Sequence, residues 1–117
     1  MELRSLSLVT WLLLVFFTSS PTLVAQEAGK SSSGASIFKS KCALCHGADG
    51  SGATPLGKQL QAANLRAKDV QKRSDADMHR IIHDGQANMP AFADQLSNEE
   101  ISQVIRYIRA LGKTASK

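Results

Sequence analysis

The chain has 117 residues, of which 21% are charged and 43% hydrophobic, with a formal net charge of +4. That length holds one small domain, the balance excludes a wholly disordered chain, and two cysteines are too few for a disulfide scaffold or an all-cysteine zinc site. Only 5% of residues are aromatic, and the one tryptophan, Trp11, falls in a leader, so something other than large rings must fill the core.

Residues 1–25 read as a secretory signal peptide. Arg4 gives a basic start, an apolar run extends from Leu6 to Phe17, and a polar stretch containing Pro21 ends in Leu23-Val24-Ala25, with cleavage expected after Ala25. The apolar run makes roughly 18 Å of helix, against the roughly 30 Å of a bilayer core. Leu23 is larger than the residue usual at that position, so the alternative is an uncleaved anchor reaching Val24. Either way the domain is exported to a periplasm or an equivalent extracytoplasmic or lumenal space, and it is membrane-bound only if the segment stays. Glu2 and Arg4 cancel, so the mature chain keeps its charge. No Lys/Arg run interleaves with aromatics, which argues against nucleic acid. A mildly basic exported domain suits an acidic partner surface.

Residues 26–36, with Ser31-Ser32-Ser33-Gly34, read as a flexible lead-in. Residues 37–112 form the domain and 113–117 a tail. No stretch alternates like a strand, so the expected class is all-α, with three to four helices. The first runs from Ala35 to about Leu44, capped by Ser36, with Ile37 and Phe38 apolar. Gly47 to Asn64, rich in glycine and containing Pro55, reads as an irregular loop. A weak helix around Ala67–Lys72 follows. Asp75–His83 is capped by Ser74, turns Met78, Ile81 and Ile82 inward, and stops at Gly85 with a left-handed cap. Gln86–Gln95 is a second long loop carrying Asn88-Met89-Pro90. Asn98–Leu111 has a Ser97–Glu100 capping box, a Leu96–Ile101 staple, an apolar stripe through Ile101, Val104, Ile105, Ile108 and Leu111, and Gly112 as its stop. Loops this long in so small a domain need something to pack against.

Cys42-Ala43-Leu44-Cys45-His46 supplies that something. At offsets of three and four, the two thiols and the imidazole share one helix face. Two thiols can add to the vinyl groups of a haem while the adjacent histidine reaches the iron, the attachment pattern of c-type haem. If such a group hides roughly 500 Å² of apolar surface, the gain is about 12 kcal/mol. Rival readings are a Cys42–Cys45 disulfide, a thioredoxin-like pair, which lacks its βαβ context, and a zinc site from Cys42, Cys45, His79 and His83. With His46 on one side of the iron, candidates for the other are Met78, Met89, His79 and His83. Met89 is favoured because it lies in a loop beside Pro90, whereas Met78 has the periodicity of a core residue and the two histidines read as a solvated pair. Methionine opposite histidine raises the reduction potential.

These residues resemble the class I c-type cytochromes, the small monohaem kind, over about Gly34 to Leu111. Cys42, Cys45 and His46 match the haem motif, and Met89-Pro90 with Phe92 matches the axial-methionine loop. Gly34 and Phe38, with Val104 and Tyr107, match the crossing of the first and last helices. Pro55-Leu56 resembles the proline whose carbonyl accepts a hydrogen bond from the proximal histidine. The resemblance implies a cytochrome c fold wrapped around one covalently attached haem c. It implies an electron carrier rather than an enzyme, iron ligated by His46 and Met89, and cofactor contacts from Cys42, Cys45 and Pro55. Redox protein donors and acceptors are the implied partners, and the chain is a monomer by default. Phe38, Ile101, Val104, Tyr107 and Ile108 are expected to wall the haem. Lys39, Lys41, Lys58, Lys68, Lys72 and Arg73 are candidates to steer an acidic partner. The alternative is a haem enzyme subunit or gas sensor with a labile sixth ligand.

Overall fold

Serine and threonine caps set where this chain becomes helical. The computed structural model describes residues 33–115; the leader, its cleavage site and most of the lead-in lie outside the described residues. Helix α1 spans Gly34–Lys41, and its cap is Ser33 rather than Ser36: the Ser33 hydroxyl accepts the Ser36 N–H at 3.3 Å. The chain breaks step at Cys42, with φ −114°, and resumes as α2, Ala43–His46. The Cys42 N–H still donates to the Phe38 carbonyl and the His46 N–H to the Cys42 carbonyl, both at 2.9 Å. The expected first helix is therefore one rod with a fault at Cys42.

Four further helices follow: α3 Pro55–Leu60, α4 Lys68–Gln71, α5 Asp75–Asp84 and α6 Asn98–Thr114. The fold is all-α, with six helical segments where three to four were expected; the described residues contain no strand, only an isolated bridge between Gln86 and Met89. The unexpected element is α3, which lies inside the glycine-rich stretch. Thr54 caps it, accepting the Gly57 N–H at 2.8 Å, and Pro55 occupies the first turn, where a missing N–H costs nothing.

The core forms where α1 crosses α6. A side chain on Gly34 would overlap the Gln103 carbonyl, so only glycine lets the two backbones meet. Phe38 and Tyr107 sit with ring centroids 5.1 Å apart beside this crossing, and Ile101 and Val104 are wholly buried. Helix α5 also packs against α6, beside Ser102, Ile105 and Arg106. Arg109 of α6 donates to the carbonyls of Gln71 at 2.7 Å and Arg73 at 2.6 Å and to the Asp75 carboxylate at 2.7 Å, binding the end of α4 and the start of α5 to the last helix.

Two glycine expectations change. Gly112 is not a stop: α6 runs on to Thr114, and Gly112 is buried beneath the side chain of Gln71. The Gln71 amide donates to the carbonyls of Leu65 at 2.7 Å and Ile108 at 3.1 Å, and a larger residue at 112 would displace it. Gly85 does end α5, but with φ 80° and ψ 166°, so the chain leaves extended rather than through a left-handed helical turn. Helical structure thus runs from 34 to 114, wider at both ends than the expected Ala35 to Leu111.

Candidate functional site

A cavity of about 320 Å³ opens between the α1–α2 rod on one side and the loop after α5 on the other. Cys42, Cys45 and His46 line it, and so does Met89. Phe38, Leu65, Val70, Ile82, Val104 and Ile108 supply apolar walls. Of the five wall residues expected, Phe38, Val104 and Ile108 line the cavity, while Ile101 and Tyr107 pack behind it at the helix crossing. Met78 is buried and also lines the cavity, as a core residue of α5.

His46 ends α2 because Gly47, at φ 78°, turns the chain away. It is the one buried polar or charged side chain among the described residues, 8% exposed. Its Nδ1 lies 3.0 Å from the Ala63 carbonyl. A carbonyl only accepts, so Nδ1 carries the proton and Nε2 keeps its lone pair for a metal. This corrects the role expected for Pro55. Pro55 is exposed, does not line the cavity, and serves as the first residue of α3, while the carbonyl that orients the imidazole belongs to Ala63, after α3. The proline signal pointed to a helix start instead.

Helix α3 nonetheless braces the motif. The Thr54 hydroxyl shares its proton between the carbonyls of Leu44 at 2.8 Å and Cys45 at 3.0 Å. Gly57 is buried against the Cys45 carbonyl, where any Cβ would overlap it. Sequence reasoning missed Thr54, Gly57 and Ala63. The Thr54-Pro55 pair, a cap followed by proline at the first helical position, was the available signal for the first two.

Cys42 and Cys45 are free, half-buried thiols, so the disulfide alternative is not formed. Burial pushes the Cys42 thiol up to about 11, opposed by the Lys41 ammonium and reinforced by Cys45. A thiol held protonated by burial is a poor redox nucleophile. The zinc alternative fails on placement. His79 faces a separate groove with Asp75, Ser102 and Arg106, and no three His, Cys, Asp or Glu side chains converge among the described residues.

Met89 sits in a tight two-residue turn. The Gln86 N–H donates to the Met89 carbonyl at 3.1 Å and the Met89 N–H to the Gln86 carbonyl at 2.9 Å. Ala87, between them, takes a positive φ of 52°, and the Asn88 side chain donates to the Leu60 carbonyl at 3.1 Å, tying the turn to α3. Gly85 meets the Met89 carbonyl closely, and the Phe92 N–H donates to the Ile82 carbonyl at 3.0 Å, folding the loop back over α5. The buried imidazole with one free nitrogen, the two thiols on its face and the methionine across an apolar slot fit a haem.

Of the basic residues expected to steer a partner, Lys41 and Arg73 line the cavity, together with Asp69. The Lys41 ammonium reaches the Gln95 side chain at 3.1 Å and Arg73 pairs with Asp77 at 3.1 Å. Lys39, Lys58, Lys68 and Lys72 are exposed and stand away from it.

Residues 29–108 match the family model described as cytochrome c oxidase, cbb3-type, subunit III. The chain is 34% identical to a cytochrome c6 of a Picosynechococcus strain, over 86% of each chain, and 36% identical to a cytochrome c6 of Rippkaea orientalis, over 92% of each. Among solved structures it resembles a c-type cytochrome, KustC0563, with a TM-score of 0.63 and 30% identity, covering 68% of this chain and 96% of that one.

Proposed function

The chain belongs to the class I monohaem c-type cytochromes, and from that membership we propose how its residues hold the cofactor and where it works. It is an electron-carrier cytochrome with one haem c per chain. That group supplies a one-electron couple between Fe(III) and Fe(II). Cys42 and Cys45 would attach the haem through thioether bonds, and His46 and Met89 would hold its iron. The Ala63 carbonyl keeps the imidazole in the tautomer that presents Nε2, the usual role of a partner to a metal-bound histidine. Phe38, Val70, Ile82, Val104 and Ile108 keep water from the site. With His46 and Met89 both engaged by the iron, the chain would move electrons and make or break no substrate bond.

The observation that supports this reading best is a buried histidine and a loop methionine facing one apolar cavity, with only one histidine nitrogen free. The chain shuttles single electrons between redox proteins in an extracytoplasmic space, reached through the leader at residues 1–25. Among the described residues no helix is long and apolar enough to cross a membrane. Donors and acceptors dock beside the cavity, where the Lys41 ammonium favours acidic surfaces, and rates of partner reduction fall as salt rises.

The test is the oxidised holoprotein and its Met89→Ala variant. The wild type is expected to be low-spin, with the weak near-infrared band of thioether–ferric ligation. The variant is expected to lose that band and fall in potential, because methionine opposite histidine raises it. Rapid carbon monoxide binding to the ferrous wild type, or an unchanged band in the variant, would overturn Met89 as the ligand.

A further inference from the structure

The chain has three histidines, and the cofactor uses one. The other two, His79 and His83, lie four residues apart on α5, one turn above each other on the same face. Their rings stack with centroids 6.0 Å apart and planes 19° from parallel, so both imidazoles leave the helix in the same direction. The side chain of His83 is 42% exposed, and His79 borders the groove between α5 and α6.

The proton positions are determined by a neighbour. His83 Nδ1 lies 2.6 Å from the Asp84 carboxylate. An ionised carboxylate can only accept, so Nδ1 carries the hydrogen and the neutral ring holds its lone pair on Nε2, facing away from Asp84. A carboxylate behind a histidine is the arrangement that orients metal-binding imidazoles. Nearby positive charges are already matched. Arg80 pairs with Asp77 at 2.6 Å, Arg106 of α6 with Glu99 at 3.2 Å, and Arg109 of α6 with Asp75 at 2.7 Å. None of these guanidinium groups stands unpaired against an incoming cation.

We propose that His79 and His83 form a surface chelate for a late divalent transition ion, separate from the haem cavity. No third His, Cys, Asp or Glu side chain joins the pair among the described residues, so water completes the coordination. The site is exchangeable, unlike a closed four-ligand zinc centre. Two imidazoles favour copper, nickel and zinc over magnesium or calcium, and Cu²⁺ is the tightest of these in the general order of affinities.

The experiment titrates the oxidised, haem-loaded full chain with Cu²⁺ and with Mg²⁺, reading heat and the copper paramagnetic resonance spectrum. One Cu²⁺ per chain is expected, with splitting from two equivalent ring nitrogens, displacement by excess Zn²⁺ and no response to Mg²⁺. His79→Gln and His83→Gln should each abolish the two-nitrogen signature, and Asp84→Asn should weaken binding about tenfold. Unchanged haem absorption and thermal midpoint would show that these variants are folded. No bound copper, or copper bound equally well by the His79→Gln/His83→Gln double variant, would overturn the proposal.

Discussion

The two sides of the cavity are built differently. The histidine side rests on backbone packed against backbone: Gly57 touches the Cys45 carbonyl, the Thr54 hydroxyl ties two carbonyls of the motif to the start of α3, and Ala63 pins the imidazole. The methionine side rests on a two-residue turn, one side-chain hydrogen bond from Asn88 to Leu60, and a strained Ala87. Few atoms move on the first side without breaking packing, whereas the second can open as a loop without unfolding the helices. Local openings of this kind cost less than global unfolding, so the turn carrying Met89 should be the first part of the cavity wall to open under heat or denaturant.

The largest expected effect falls on the histidine side. Gly57→Ala gains about 1 kcal/mol of helix propensity but drives a methyl group into two backbone carbonyls, and a net loss of about 2 kcal/mol in the denaturation midpoint of the holoprotein is expected. A neutral result would mean α3 is not a brace. Thr54→Val removes both the cap and the tie to the Leu44 and Cys45 carbonyls, and should cost about 1.5 kcal/mol, read in the same way.

The methionine side responds with the opposite sign. Ala87→Gly relieves a left-handed conformation worth about 1–2 kcal/mol and gives back about 0.5–1 kcal/mol in chain entropy. The thioether–ferric band should therefore survive to a slightly higher temperature, by about 0.5 kcal/mol, with global unfolding little moved. Loss of the band at a lower temperature would show that the strain is not in this turn.

The smallest effect lies outside both sides. The Ser97 backbone N–H, then its hydroxyl, hold the Glu100 carboxyl below the usual glutamate range. A depressed carboxylate contributes stability above its unfolded pKa and loses it as pH falls through the native one. Acidification through and below the ordinary glutamate range should lower the thermal midpoint, and Glu100→Gln should flatten that slope without touching haem ligation.

How legible the molecule was depends on the range of each interaction. The α6 capping box and the Ser74 cap of α5 are local, and each stands where its residues said it would. Glycine was the poorer guide. Gly57 sat in a stretch read as loop, because its reason for being glycine is a carbonyl twelve residues earlier in the chain. Gly112 was read as a stop, because its reason is a glutamine side chain on α4.

The amino-acid sequence by itself determined the helical class, the haem motif and Met89 as the candidate opposite His46. Periodicity, caps and short spacings depend only on neighbours within a turn or two. The tertiary structure decided that Ala63 and not Pro55 orients the histidine, that α3 braces the motif, and that Ile101 and Tyr107 stand behind the cavity rather than in it. Those assignments depend on which backbone carbonyl arrives beside which side chain after the helices have crossed, and no local pattern encodes that meeting.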